Sequence, residues 1–271
     1  NSWEEFEAQL RELESERLAK KSASKFIYRG QSDRTKHLMT TLERNGKERL
    51  SFKEYYHLIS VAQPQIESFT GTNWNILAYP QGIDKWLDEN SSYMPHAFGG
   101  SHEFNNIYSF MVYLRHYGFP SPLLDWTASL YIAGYFAFRQ ATISKNDVSI
   151  YVYLETPNEG KSKNCSSSDA YIYTFGPYIR TDRRHFLQQS RYTICMLNDR
   201  EWRFVPHEDA FARCDANQDL LWKFNIPYSE RLKVLKMLDR YNINALSLFG
   251  SVESLMETMA FREVNLREKE L

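Results

Sequence analysis

The stretch from His116 to Thr127, His-Tyr-Gly-Phe-Pro-Ser-Pro-Leu-Leu-Asp-Trp-Thr, constrains this chain more than any other. A helical period ends there. Phe104, Ile107, Phe110, Met111 and Leu114 recur every three to four residues, which predicts a helix over 103–117 with one apolar face. Gly118 stops it, since glycine takes up the left-handed conformation of a helix C-terminus at no steric cost. Leu123–Thr127 is then a strand too short and too apolar to lie outside a core. A helix over 128–139 follows at once, and Ala128, Ala133, Gly134 and Ala137 give it small faces for close packing on a sheet. Within the strand, Asp125 and Thr127 alternate with Leu124 and Trp126, so a carboxylate and a hydroxyl share one face. The simpler reading is that Asp125 N-caps the next helix while Thr127 makes local bonds.

A second apolar run also stops at polar groups: Phe26-Ile-Tyr28, followed by Arg29, Gly30 and Gln31. Aromatic and β-branched residues favour a strand here, ending at Gly30. Before it, Ser2 and Glu5 form a capping box for a helix over 2–20. Residues 49–69 predict a long helix that Pro64 kinks or splits. A loop-rich insert with a short helix near 83–89 fills 71–102. Val148–Leu154, Ala170–Phe175, a segment from Arg191, and Leu220–Ile226 predict strands. Arg184–Gln188 reads as a turn, and 159–169 as a polar loop free to move. Pro227 opens a helix with Ser229 near its cap, Asn244–Phe249 is expected as the last strand, and Ser251 caps a final helix. Helices concentrate early and strands late. That argues against a doubly wound parallel sheet and for a single α+β domain over 1–271. Its parts are a helical insert at about 45–117 and a β-rich core from 25–30 and 118–260.

Composition limits the function classes. The 271 residues carry 33 Lys+Arg against 34 Asp+Glu, a net charge of −1, which argues against large-scale electrostatic capture of nucleic acid. A local patch such as Arg180, Arg183, Arg184 and Arg191 would still grip phosphate. The aromatic fraction of 15% fits a packed core, or a groove of stacking rings. Three cysteines without CxxC spacing fit a reducing cytoplasm. No apolar run approaches the ~18 residues of a membrane span. The start lacks the layout of a signal peptide, and Asn1 in place of Met is expected of a trimmed chain.

An Arg at a strand end, followed by Gly, suits an anionic or ribose-bearing ligand. The guanidinium offers a fixed fork of donors, and a missing Cβ lets a ligand approach the backbone. These residues also match a known family. Tyr28-Arg29-Gly30-Gln31 followed by His116-Tyr-Gly-x-Pro-x-x-Leu-Leu-Asp-Trp-Thr127 and Ala133-x-Tyr-Phe-Ala137 resembles the FRG domain. Arg184-x-x-x-Gln188-Gln189-Ser190-x-Tyr192 resembles a later element of that family, with Ser190 in place of a usual Gly and Tyr192 of a usual Phe. Ala245–Leu255 resembles its last strand and helix, with Gly250 in place of a usual Pro. The resemblance spans roughly 1–260.

The order of these motifs is similar to that of ADP-ribosyltransferases of the Arg-Ser-Glu class. Asp125-Trp126-Thr127 stands where they have Ser-Thr-Ser, and Gln188 or Gln189 where they have Glu. The likeness implies a helical N-terminal half packed on a mixed or antiparallel ADP-ribosyltransferase-like β core. It implies NAD as substrate, no metal, and transfer of one ADP-ribose to a protein, RNA or DNA acceptor, or NAD hydrolysis. By the same likeness Arg29 holds the nicotinamide ribose or a phosphate, and the Gly30 backbone binds the carboxamide. Tyr28, Gln31 and His116 help line the NAD site, Thr127 and Asp125 order it, Tyr117 stacks on the nicotinamide, and Gln188 or Gln189 meets the ribose 2′-hydroxyl. Gln brings no charge, so either Asp125 or another carboxylate (Glu201, Glu253) supplies it, or transfer is slow, or the activity is lost. Family context implies a microbial toxin or antiphage effector, with an inhibitor protein as a partner. Two readings compete with the enzyme: a non-catalytic domain recognising a nucleotide, nucleic acid or protein, and a metal-dependent hydrolase using Asp125 with His116, His185 or His207.

Overall fold

The two polar-tipped apolar runs pair with one another in an antiparallel sheet of seven strands. The computed structural model describes residues 2–22, 24–90, 102–140, 146–158, 160–161, 169–176 and 181–266. In chain order its elements are α1 (Trp3–Ala19), β1 (Ile27–Gln31), α2 (Thr41–Arg44), α3 (Phe52–Thr70), α4 (Gln81–Asn90), α5 (His102–His116), β2 (Leu124–Thr127), α6 (Leu130–Arg139), β3 (Val148–Leu154), β4 (Tyr171–Phe175), α7 (Arg183–Leu187), β5 (Ser190–Asn198), β6 (Trp202–Phe204), α8 (His207–Phe211), β7 (Leu220–Ile226), α9 (Arg231–Arg240), α10 (Ala245–Phe249) and α11 (Val252–Ala260). The fold class is α+β, and the mixed alternative for the sheet is replaced by antiparallel pairing at every described ladder.

The strands run β4-β5-β2-β1-β3-β7, with β6 paired to β5. β2 meets β1 at a single register, Tyr28 opposite Thr127, while β1 continues against β3 as far as Gln31 opposite Ser149. Beyond Tyr28 the sheet therefore opens between β1 and β2, and that opening places the candidate site.

Helices cover the sheet in two groups. α1, α6 and α9 pack on Tyr28, Val148, Ile150, Val152 and Ile226. α3, α4 and α5 pack on Phe175, Tyr192, Ile194, Met196 and Phe204. Trp126, Tyr151, Tyr153 and Cys195 form a smaller cluster with Ile27 and Leu124. Gly30 is where α6 comes closest: a Cβ there would stand 1.9 Å from the Ala133 carbonyl oxygen.

Several expectations are corrected. Asn244–Phe249 is a helical turn, not the last strand. Asn244 and Ser247 cap one another, Ala245 and Leu248 are buried three residues apart, and Gly250 at φ +65° ends the turn. α3 runs unsplit through Pro64, because Phe52, Tyr55, Tyr56 and Ile59 anchor its first turns in the core. Gln63 holds the following turn through Glu67 and the Trp74 carbonyl. The expected turn at Arg184–Gln188 is the short helix α7, capped by Asp182. Leu123 precedes β2 rather than opening it. After Pro227 a 3₁₀ turn over Tyr228–Glu230 leads into α9, so Ser229 caps nothing. Ser129, not Asp125, caps α6. Most of 159–169 and part of 71–102 lie outside the described residues, as does Arg180. Among the described residues, no helix is long and apolar enough to cross a membrane.

Candidate functional site

Opening the sheet past Tyr28 leaves a cavity of about 610 Å³. The size falls within the ~300–1,000 Å³ of small-molecule sites. β1 supplies Tyr28, Arg29, Gly30 and Gln31, β2 supplies Asp125, Trp126 and Thr127, the end of α5 supplies Arg115 and His116, and the turn into β5 supplies Gln188 and Ser190. Residues remote in sequence thus meet on three adjoining strands.

Charge is the cavity's main property. Among the described residues, six cationic side chains line it (Arg29, Lys36, Arg44, Arg115, Arg139 and Arg184) against one carboxylate, Asp125. The chain as a whole is near neutral, so this cluster is a local concentration suited to an anion. Asp125 lies between two guanidiniums. Arg115 Nη2 bonds its Oδ2, and Arg29 Nη1 stands 3.9 Å from the same oxygen. Arg29 Nη1 also donates to the Asp125 backbone carbonyl at 2.7 Å. Burial lowers the Arg29 pKa to about 10, an effect that Asp125 opposes, and the group stays charged at neutral pH. Arg139 is held by Glu257 at 2.6 Å through both Nε and Nη2. Among the described residues, no carboxylate lies within ion-pair distance of Lys36, Arg44 or Arg184.

The remaining predicted residues take definite places. The Thr127 hydroxyl donates to the Gln188 carbonyl at 2.8 Å and accepts from the Ser129 N–H at 3.1 Å, so it ties β2 to α6 and to the β5 turn. Gln188 faces the cavity and donates its amide to the Leu248 carbonyl at 3.1 Å. Gln189 is not in the lining. It takes φ +47° in the tight turn before β5, and its carbonyl accepts from the Ala128 N–H. Gln31 is only 7% exposed; its amide donates to the His37 carbonyl, while its Oε1 has no partner among the described residues.

His116 lines the cavity with Nε2 2.9 Å from the Tyr192 hydroxyl, and burial lowers its pKa, so the ring favours its neutral form. Tyr117 is outside the lining and 57% exposed, and its hydroxyl donates to Asp182 at 2.7 Å. It is a rim residue with the Arg184 guanidinium 5.6 Å from its ring centroid.

Arg115, Lys36, Arg44 and Arg139 were missed from the sequence. Arg115 was legible in principle, as the charged neighbour of His116 at the end of an apolar helix. Lys36 and Arg44 carry no local signal, because the fold of 32–44 alone turns them toward the gap. Glu201 and Glu253 are not in the lining: Glu201 pairs with Arg203, and Glu253 is exposed on α11. His207 is buried against the Thr193 hydroxyl at 2.9 Å. Among the described residues, no group of three or more His, Cys, Asp or Glu side chains is placed to hold a metal ion.

Comparison with known proteins adds one match. The family model of the FRG domain matches residues 24–146, which include β1, β2, α6 and the His116–Thr127 stretch. Arg184–Tyr192 and Ala245–Leu255 lie beyond the matched span. No curated protein and no solved structure matches the chain.

Proposed function

From the premise that this chain carries a domain of the FRG family, we propose that its cationic cavity binds NAD and that the protein transfers one ADP-ribose from it to a macromolecular acceptor. The observation that carries this reading is the convergence of Arg29, Thr127 and Gln188 on one cavity lined by six cations and a single carboxylate. Resemblance to the ADP-ribosyltransferases implies the same three elements around NAD. The residues present fit such a ligand. The guanidiniums complement a pyrophosphate, and the buried Arg29 Nε and Gln31 Oε1 lack partners among the described residues.

NAD supplies an activated N-glycosidic bond. In the transfer its ribose C1′–N bond breaks and the bonding pair leaves with neutral nicotinamide. A C1′–acceptor bond then forms as the acceptor nucleophile gives up its proton. The ribose passes through an oxocarbenium-like state, which a nearby carboxylate stabilises. Among the described residues, Asp125 is the one lining carboxylate able to do so. Arg29 holds a phosphate or the ribose, and the Gln188 amide meets a ribose hydroxyl. Thr127 acts through others, fixing the β2 end and the Gln188 turn. Neutral His116, bonded to Tyr192, is available to take the acceptor's proton. Gly30's lack of a Cβ is used by α6, so only its backbone groups remain for the carboxamide.

One observation favours a second reading, in which NAD is recognised but not consumed: the Asp125 carboxylate is already engaged by Arg115 and faces Arg29. Calorimetry with NAD and assay of released nicotinamide, for wild type and Arg29→Ala, separate the two. Binding with release, both lost in the variant, is expected of a transferase. Binding without release under any acceptor selects recognition. Absence of binding refutes both.

A further inference from the structure

A second cavity of about 490 Å³ adjoins the first, and its chemistry is different. Asn73, Asn75, Thr72 and Ser109 offer neutral donors and acceptors, and Trp74 and Tyr113 offer ring faces; among the described residues Asp182 is the one carboxylate in the lining, and no cation lines it. Tyr117 links the linings of the two cavities. Asp182, in the second, accepts from the Tyr117 hydroxyl at 2.7 Å, and Arg184, in the first, lies over the Tyr117 ring. Tyr117 in turn sits 4.6 Å from Tyr113, which sits 4.9 Å from Trp74, so three rings lead from the cationic mouth into the amide-rich cavity. The Trp74 indole N–H is buried, without a partner among the described residues.

The cationic cavity also holds more charge than a dinucleotide needs. Asp125 answers Arg115, and Glu257 answers Arg139. Arg29, Lys36, Arg44 and Arg184 remain, four cations for the two charges of a pyrophosphate.

We infer that the acceptor is a single-stranded nucleic acid. Arg184 holds a phosphate of the strand, and the cavity at Asn73, Trp74 and Asn75 holds the base of the nucleotide next to the one that reacts. Amide side chains with ring faces suit the edge and the plane of a nucleobase. A base must leave its stack to enter, so a single strand fits and an intact duplex does not. This inference rests on the NAD reading for the identity of the first cavity.

The test is fluorescence anisotropy with labelled mixed-sequence 12-nucleotide DNA and RNA strands, without NAD, beside calorimetry with NAD. Both strands are expected to bind if the sugar is not read, and one if it is. Affinity is expected to fall with salt at a log–log slope of about −0.7 or steeper, the value for at least one neutralised phosphate on a single strand. Joint replacement of the exposed Asn73→Ala and Asn75→Ala is expected to weaken strand binding by about tenfold or more, within the range for loss of base contacts, while leaving NAD affinity unchanged. Arg184→Ala is expected to flatten the salt slope. NAD binding with no strand binding at 50 mM salt overturns the inference and leaves the NAD reading standing. So does a duplex that binds as tightly as the strand, or strand binding unaffected by the Asn pair. If neither NAD nor strand binds, both readings fall.

Discussion

Gly30 sits inside the most telling sequence motif, and its replacement by Ala separates two reasons for a glycine there. A new Cβ would lie 1.9 Å from the Ala133 carbonyl oxygen, 2.6 Å from the Ala137 nitrogen and 2.9 Å from the Ala133 carbonyl carbon. All three atoms are backbone of α6, so no side chain can swing aside. Ordinary contact begins at 3.4 Å, so α6 must withdraw from β1 by about 1.5 Å. It can do so only by loosening the packing of Trp3, Ile132 and Phe138 around it. Overpacking of a tight core costs about 1–3 kcal/mol, and a clash confined to main-chain atoms belongs at the upper end. For a chain of this size that is roughly 6–12 °C in Tm. Thermal unfolding of Gly30→Ala beside Gly118→Ala measures it. Gly118 has φ +89° and open space around it, so its variant bears only backbone strain, about 1–2 kcal/mol. A Gly30→Ala protein that melts within 2 °C of wild type would refute the packing account. If that variant also failed to bind NAD, the glycine would be there for the ligand rather than for the helix.

Thr127→Val keeps the shape but removes the hydroxyl bridging Ser129 and Gln188; it is expected to destabilise by about 1–3 kcal/mol, read by urea unfolding, with Thr127→Ser restoring most of it. Arg29→Lys keeps the charge but loses the bond to the Asp125 carbonyl; NAD affinity by calorimetry is expected to fall ~10-fold or more, as for a charge-assisted hydrogen bond. Buried His207 has its pKa lowered to about 3 by desolvation. The unfolded chain therefore binds its proton below pH ~6.5 while the folded chain does not, and stability falls as pH drops from 6.5 toward 3 by up to about 1.4 kcal/mol per unit. His207→Gln is expected to flatten the pH dependence of Tm between pH 6.5 and 5; an unchanged slope would show that the ring titrates normally.

Local signals were read well where the local chain decides. The Ser2–Glu5 capping box, the helix ending at Gly118 and the all-buried β3 follow from period, cap and composition. Asn244–Phe249 failed for an identifiable reason. Six residues, four of them apolar, suit a short buried strand as well as one helical turn, and only the reciprocal Asn244–Ser247 cap decides. β6 escaped because three residues carry no period, and it exists by pairing with β5. The site was legible as motifs but not as a charge distribution. Arg29, Asp125, Thr127, His116 and Gln188 face one cavity, whereas Tyr117 and Gln189 do not, since one step along a turn reverses a side chain's direction. That Lys36, Arg44 and Arg139 join them depends on how three separate segments close over the sheet, which no spacing in the sequence encodes.

Asp125 decides between transfer and recognition, and Asp125→Asn tests the electrostatics directly. Arg29 donates to the backbone carbonyl of residue 125, a bond the variant keeps, so the guanidinium stays in place. What changes is the charge. A carboxylate about 4 Å from a guanidinium is worth up to about 4 kcal/mol at an effective dielectric constant of 20, and it competes with any phosphate for Arg115 and Arg29. Removing it is expected to tighten NAD binding while taking away the charge that would face the oxocarbenium-like ribose. A transferase would then lose about 10²–10³ in nicotinamide release despite better binding. A recognition domain would gain affinity and lose nothing, since it releases none to begin with. Weaker NAD binding by Asp125→Asn would mean that the carboxylate itself holds the ligand, and the phosphate would not belong beside these two guanidiniums.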